Sequence, residues 1–159
     1  MQTALVVPAL DEESSIGAVL DAVPPGLYQQ ILVVDNGSSD RTSHIARSRG
    51  VRVLFEPRRG YGNACLCALA ALRKDIEVVV FMDGDGSDVP SESERLLAPI
   101  LSGYADVVFG SRTLGCAEFG ALNIHQRFGN ALAVFLIRVF WRYQYTDLGP
   151  FRAVRVSSL

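Results

Sequence analysis

Two carboxylates with one residue between them follow an apolar run in the middle of the chain. Asp83 and Asp85 come directly after residues 78–82, which are all apolar. Side chains two residues apart in an extended chain point to the same side, so both carboxylates can face one ligand. Paired carboxylates repel each other unless a cation lies between them, and all-oxygen ligands suit Mg²⁺ or Mn²⁺. An acidic turn around Gly84 and Gly86 would account for the same residues without any metal.

Two other known motifs compete for this segment. An EF-hand loop needs glycine at its sixth position, where Asp88 stands, and a helix rather than a strand before it, so that interpretation fails. The pattern also resembles the first motif of haloacid-dehalogenase-type phosphatases, in which Asp83 would be the nucleophile and Asp85 the general acid. Such a phosphatase would need a lysine beyond the nucleophile, but the only lysine, Lys74, precedes it.

The rest of the chain predicts the elements that must position these carboxylates. Short β-branched runs alternate with segments of helical period, which is typical of an α/β domain with a largely parallel sheet. The carboxyl ends of parallel strands share one edge of the sheet, where open α/β folds bind ligands. The predicted strands cover residues 4–7, 31–34, 51–55, 77–82 and 106–109. The predicted helices begin near Ser14, Asp40, Asn63, Ser91 and Gln126.

Local signals predict how some of these helices begin and end. Asp40 offers an N-cap for a helix that Gly50 ends. Ser91 and Glu94 have the spacing of a capping box for the fourth helix, which Pro99 is expected to distort.

Composition restricts the class of protein. The chain has 159 residues, of which 49% are hydrophobic and 20% charged, so one domain with a real core is expected and a disordered chain is excluded. A formal net charge of −2 argues against nucleic-acid binding by a basic surface. Cys65, Cys67 and Cys116 lack metal-finger spacing, and we expect free thiols in a reducing, cytoplasmic location.

Three segments in order carry a family resemblance. Residues 8–13 read PALDEE, residues 34–42 read VDNGSSDRT, and residues 83–85 read DGD. Together they resemble family 2 glycosyltransferases of the GT-A fold, especially dolichol-phosphate mannose synthases and bacterial polyprenyl-phosphate glycosyltransferases. The resemblance implies a Rossmann-like three-layer α/β sandwich with a mostly parallel central sheet.

The resemblance also implies an activity. A sugar would pass from a UDP- or GDP-sugar to an acceptor, expected to be a polyprenyl (dolichyl or undecaprenyl) phosphate, with inversion at the anomeric carbon. Such an enzyme of cell-envelope glycan synthesis would work at the cytoplasmic face of the membrane. The alternatives are a non-catalytic nucleotide-sugar-binding module and, with less support, the phosphatase.

The donor-side residues follow from the same resemblance. Asp83 and Asp85 would hold Mg²⁺ or Mn²⁺ against the diphosphate, with Gly84 between them and with Arg112 as a further cation. Relatives commonly carry a second Asp where this chain has Asn36, so nucleoside contact there would come from the neighbouring Asp or from the Asn36 amide. The residues expected to wall the nucleoside are Pro8, Leu10, Glu12, Val34 and Asp35.

On the acceptor side, Arg127 and Arg152 are expected to bind the acceptor phosphate. Asp85 and Asp147 are the expected catalytic carboxylates, and Asp147 would act as a base or by positioning. The predicted helix from Gln126 to about Tyr143 fits a core helix or a membrane-surface segment, since residues 113–159 are basic overall. We expect residues 1–159 to form a single GT-A domain that is incomplete at its C-terminus, because relatives continue further.

Overall fold

The computed structural model of the protein describes residues 1–110 and 149–159. Within them, one six-stranded sheet has the order β3-β2-β1-β4-β6-β5. β6 runs antiparallel to both of its neighbours, β4 and β5, whereas β1 to β4 pair in parallel. The strands are β1 (Gln2–Ala9), β2 (Gln30–Asp35), β3 (Arg52–Phe55), β4 (Ile76–Phe81), β5 (Val107–Phe109) and β6 (Arg152–Arg155).

Helices cover both faces of this sheet. α3 packs on one face, and the other described helices pack on the opposite face. The helices are α1 (Ile16–Asp21), α2 (Thr42–Ser48), α3 (Tyr61–Ala70) and α4 (Ser93–Leu101). Short 3₁₀ turns lie at Pro90–Glu92 and Val156–Ser158. The expected three-layer α/β sandwich with a mostly parallel sheet is therefore confirmed.

The alternation of side chains along each strand builds the two halves of the core. In β1, Leu5 and Val7 face the α1 side, whereas Val6 faces α3. In β4, Val78 and Val80 face the α1 side, and Val79 faces α3. All of these side chains are fully buried, which explains why these strands read as continuous apolar runs.

The helix starts differ in detail from the sequence prediction. α1 begins at Ile16, two residues after the predicted cap at Ser14. The capping box at Ser91 is wrong, because residues Pro90–Glu92 form a 3₁₀ turn and α4 begins only at Ser93. The Ser93 hydroxyl donates to the carbonyl of Pro90 over 2.7 Å and so closes that turn.

Two other helix signals can be located in the structure. Pro99 lies inside α4, and the distortion expected from it stays a prediction. Gly50 follows the end of α2 with a φ of 73°, a backbone conformation that glycine adopts at little cost.

β6 was not predicted. Arg152 is expected on the acceptor side from the sequence, and residues 152–155 form a strand between β4 and β5. Arg152 pairs with Phe81 across this antiparallel ladder. The predicted helix at 126–143 lies outside the described residues. Within residues 1–110 and 149–159, no helix has the length and apolar character needed to cross a membrane.

Leu32→Ala is expected to destabilise the protein strongly. Leu32 is fully buried in β2, so its removal leaves a cavity and should lower the free energy of unfolding by about 2–5 kcal/mol. Leu66→Ala is the matched control, because the side chain of Leu66 is 62% exposed on α3. Urea unfolding of both variants checks this, and similar losses in the two would contradict the described core.

Candidate functional site

The loops that follow the parallel strands meet at one edge of the sheet. β1 to β4 are parallel, so their carboxyl ends lie at that edge. β6 runs in the opposite direction, and its first residue, Arg152, therefore arrives at the same edge beside Phe81. Asp83 follows β4 by two residues. The sheet thus brings a carboxylate and a guanidinium together from distant parts of the sequence.

The loops after β1 and β2 are tied together by side chain–backbone hydrogen bonds. The amide of Asp11 donates to Ser38 Oγ over 3.0 Å, and Asp11 Oδ1 accepts from the amide of Ser39 over 2.7 Å. Asp11 adopts a φ of 57°, which Asp tolerates better than most residues. The pair of segments 11–13 and 38–42 is called the loop clasp below.

Three further bonds complete the loop clasp. The amide of Glu12 donates to Thr42 Oγ1 over 2.8 Å, and the amide of Glu13 donates to Asp40 Oδ2 over 2.9 Å. In return, Glu13 Oε2 accepts from the amide of Arg41 over 3.1 Å. Asp11, Glu13 and Asp40 therefore satisfy backbone donors, a role that the sequence analysis missed. The signal was present, since Asp and Ser next to a strand end commonly bind nearby backbone amides.

Glu12 and Asp35, both expected at the nucleoside, also have partners within the chain. Glu12 Oε2 accepts from the hydroxyl of Ser15 over 3.0 Å. Asp35 Oδ1 accepts from the amide of Ser38 over 2.8 Å, and its Oδ2 accepts from the hydroxyl of Ser43. Burial disfavours the ionised form of Asp35, but these hydrogen bonds outweigh burial and lower the pKa of the carboxyl below its ordinary value.

Asn36 joins the end of β2 to the loop between β3 and α3 through its buried side chain. Its Nδ2 donates to the carbonyls of Glu56 and Arg58, each over 2.9 Å. Its Oδ1 accepts from the amide of Gly60 over 2.7 Å, at the start of α3. Both N–H groups of the amide are thus engaged inside the protein, and only its oxygen retains a lone pair. An Asp at this position would place a carboxylate against two carbonyl oxygens.

The apolar residues expected to wall the nucleoside occupy different environments. Leu10 is 39% exposed beyond the end of β1. Pro8 is buried within β1, opposite Val34. Val34 has no exposed surface, because it packs in the core beneath α3. The nucleoside contact expected of Val34 stays a prediction, and its buried side chain leaves only the backbone for such a contact.

The loop after β4 folds back on itself. The amide of Asp83 donates to Asp88 Oδ2 over 2.9 Å, and Asp88 is buried. Asp85 is exposed, and its Oδ1 accepts from the amide of Ser87 over 2.8 Å. A Cβ on the buried Gly84 would meet Ile16 Cδ1 at 3.4 Å, an ordinary van der Waals distance, so the loop lies against α1.

Arg152 lies between two aromatic rings at the same edge. Its guanidinium carbon is 5.2 Å from the centroid of Phe81 and 5.8 Å from that of Tyr61. Both distances suit a cation–π interaction. Cys65, one helical turn after Tyr61, is a free thiol close to both Tyr61 and Arg152, and Cys67 is also free.

The remaining predicted site residues lie outside the described part of the chain. They are Arg112, Arg127 and Asp147, together with Cys116. The Gly110 that precedes this region is described, and its amide donates to the carbonyl of Phe151 over 2.8 Å.

The carboxylates of this loop fit a divalent cation whose coordination shell is completed by a substrate. Within the described residues, no group of three or more His, Cys, Asp or Glu side chains could enclose a metal ion. Asp83 and Asp85 supply hard carboxylate oxygens, and the second of them is exposed. Mg²⁺ commonly takes one or two carboxylates and completes its shell with water and substrate phosphates. A metal enclosed by protein ligands alone would not fit this loop.

Comparisons with known proteins identify the family of the chain. The profile of the family described as "Glycosyl transferase family 2" matches residues 4–159. An uncharacterized glycosyltransferase of Mycobacterium tuberculosis is 35% identical over 159 residues, which cover 98% of this chain and 68% of the relative. The UDP-N-acetylglucosamine–dolichyl-phosphate N-acetylglucosaminyltransferase of Methanococcus voltae is 25% identical to this chain. The similarity covers 90% of this chain and 64% of that enzyme.

Solved structures show the same fold. Glucosyl-3-phosphoglycerate synthase of Mycobacterium tuberculosis, crystallised with Mn²⁺, UDP and phosphoglyceric acid, superposes with a TM-score of 0.78 at 26% sequence identity. The similarity covers 98% of this chain and 56% of the synthase. The chain therefore spans little more than half the length of this solved relative.

Asn36→Asp should destabilise the protein. The two carbonyls that accept from Nδ2 would lose their donors and face a carboxylate, and the free energy of unfolding should fall by about 1–3 kcal/mol. Asn63→Asp is the control, because Asn63 makes a bond to the Arg59 carbonyl at the exposed start of α3. Denaturant unfolding at neutral pH measures both, and an unchanged stability of Asn36→Asp would contradict the described network.

Asp35 should make stability depend on acid pH. Its pKa is lower in the folded than in the unfolded protein, so its contribution is complete above about pH 4 and is lost as pH falls through the folded pKa. Asp35→Asn should therefore reduce the loss of unfolding free energy between about pH 5 and pH 2. Urea titrations across this range measure the loss, and equal losses in wild type and variant would contradict the assignment.

Proposed function

The chain belongs to glycosyl transferase family 2, and from this we propose that it transfers a sugar from a UDP-sugar to a phosphate-bearing acceptor, with a divalent cation. The observation that carries the proposal is the pair Asp83 and Asp85 at the carboxyl end of β4, beside the guanidinium of Arg152. The family assignment leaves no support for the phosphatase interpretation of the same two carboxylates.

Asp83 and Asp85 would hold Mn²⁺ or Mg²⁺ against the donor diphosphate. The bound cation would neutralise charge on the departing nucleoside diphosphate. The choice of a UDP-sugar and of Mn²⁺ is supported by the synthase structures with Mn²⁺ and UDP-glucose. Asp85 is the better placed of the two for direct contact, because it is exposed whereas Asp83 is half-buried.

The donor nucleoside would lie over the loops after β1 and β2. Leu10 offers exposed apolar surface there, while Pro8 supports the loop from beneath. Glu12 and Asp35 would accept hydrogen bonds with the lone pairs that their internal partners leave. Asn36 would contribute at most its oxygen. The loop clasp holds these groups in place before the donor arrives, which reduces the entropy cost of binding.

The acceptor would enter on the side of Arg152. We propose that this acceptor is a polyprenyl phosphate, which is supported by the similarity to the dolichyl-phosphate enzyme of Methanococcus voltae. The basic region 113–159 would bind the cytoplasmic face of the membrane that carries this lipid. Arg127 and Arg152 would bind the acceptor phosphate, and Arg112 the donor diphosphate. A phosphate is already ionised at neutral pH, so Asp147 would position rather than deprotonate it. The anomeric carbon would invert in a single displacement.

A small phosphorylated acceptor is the second candidate. It is supported by the structural similarity to a synthase crystallised with phosphoglyceric acid. In either case we propose that residues 1–159 form one GT-A domain. A nucleotide-sugar-binding module without transfer activity is the alternative from another functional class.

Asp85→Ala should abolish metal-dependent donor binding and transfer. The wild-type protein should gain thermal stability with UDP and Mn²⁺ together, and the variant should lose that gain, because the cation loses its exposed carboxylate. Transfer of radiolabelled sugar should fall at least about 100-fold. Asp75→Ala is the matched control, since Asp75 precedes β4 at the opposite edge of the sheet and should leave both measurements unchanged.

Transfer assays with the two classes of acceptor distinguish the proposed functions. Label in a lipid-extractable product supports polyprenyl phosphate, and label in a water-soluble phosphorylated product supports the small acceptor. Binding of UDP with Mn²⁺ but no transfer to either would replace the transferase by a binding module. No stabilisation by any nucleoside diphosphate, with or without metal, would contradict the proposed site altogether.

A further inference from the structure

Among the described residues, the closest recorded contacts of the Arg152 guanidinium are aromatic rings. Within this same part of the chain, no carboxylate forms an ion pair with Arg152. Six other arginines do pair with an Asp or Glu, namely Arg41, Arg49, Arg58, Arg73, Arg95 and Arg155. The guanidinium instead lies over the rings of Phe81 and Tyr61. An arginine held on aromatic faces keeps its N–H edge available for an anion.

Tyr61 and Cys65 remain neutral beside this cation. Burial is the main cause that raises the pKa of the Tyr61 phenol, and the negative charge of Asp83 raises it further. Burial likewise raises the pKa of the Cys65 thiol. Tyr61 and Cys65 therefore add no negative charge at Arg152, and the carboxylate that acts on both of them is Asp83.

The position of Tyr61 is set by the loops rather than by its own helix alone. It is the first residue of α3 and follows Gly60, whose φ of 128° favours glycine. The amide of Gly60 is held by Asn36 Oδ1 over 2.7 Å. Tyr61 is thus connected to the end of β2, while Arg152 belongs to β6 and Phe81 to β4. The three side chains meet only because the sheet is assembled.

We propose that Tyr61 is a positioning residue, whose ring holds the Arg152 guanidinium in place for the phosphate group of the acceptor. The inference rests on the proposed function for the identity of that phosphate. Phe81 forms the fixed side of the arrangement, since it is buried in the core, and Tyr61 forms the partly exposed side that faces the site. The ring acts through its π face, so the hydroxyl is dispensable.

Three variants test this inference. Tyr61→Phe keeps the ring and Tyr61→Leu removes it while keeping apolar bulk. Tyr104→Leu is the matched control, because Tyr104 is 90% exposed after α4. We expect Tyr61→Leu to raise the KM for the acceptor roughly threefold to tenfold, the range of a cation–π contact, with kcat and donor binding nearly unchanged. Tyr61→Phe and Tyr104→Leu should behave like wild type.

A second readout does not depend on activity. Ring currents from Tyr61 and Phe81 should shift the NMR resonance of the Arg152 Nε proton upfield, and assignment follows from its loss in Arg152→Lys. Tyr61→Leu should remove part of this shift, whereas Tyr61→Phe should retain it. Titration with inorganic phosphate should move the resonance in wild type and move it less in Tyr61→Leu.

The outcomes separate this inference from the proposed function. An Arg152 resonance unchanged by Tyr61→Leu would overturn the positioning role, whatever the activity. An unchanged acceptor KM in an active Tyr61→Leu enzyme would overturn it as well. A further tenfold loss from Tyr61→Leu in the Arg152→Ala background would show that the ring acts on something else. If wild type transfers sugar to no acceptor but its Arg152 resonance responds to phosphate as expected, the proposed function fails and the positioning role stands.

Discussion

The side-chain amide of Asn36 is the contact on which the arrangement of the site depends. It is buried at the end of β2, where its three hydrogen bonds fix the carbonyls of Glu56 and Arg58 and the amide of Gly60. An amide can donate and accept at once, which a carboxylate cannot do when it is ionised. The loop after β3 and the start of α3 are therefore held to β2, and these contacts fix the position of Tyr61.

The acidic residues at this edge fall into two groups with different physical roles. Asp11, Glu13 and Asp40 accept from backbone amides of the facing loop, so their charge stabilises the loop clasp. Asp83 and Asp85 lie on a separate loop after β4, where the second carboxylate is exposed. Negative charge near the donor diphosphate would be unfavourable without a cation, and the clasp residues avoid that cost because their oxygens are already used by N–H donors. We therefore expect a cation to be required at only one of the two groups.

Much of the fold could be predicted from the sequence because the strands are buried on both faces and read as apolar runs. The expected strand at 31–34, for example, forms β2 with one further residue at each end. The side-chain environments could not be predicted in the same way. Val34 and Asp35 are neighbours at a strand end, yet one lies in the core and the other accepts hydrogen bonds from the loop, since successive side chains point to opposite faces. The start of α4 was also misjudged, because the Ser91 pattern competes with a 3₁₀ turn closed by Ser93.

The sequence by itself determined the α/β class, the order of the parallel strands along the chain and the carboxylate pair after the fourth strand, because each of these depends on a local pattern of a few residues. The tertiary structure alone decided that residues 152–155 form a strand between β4 and β5 and that Arg152 therefore lies beside Phe81 and Tyr61. Pairing between segments about 70 residues apart is decided by which edge of the sheet remains open once the other strands have assembled. The choice of a pairing partner leaves no periodic pattern in the sequence of the paired segment. Burial of a strand and the period of a helix do leave such patterns.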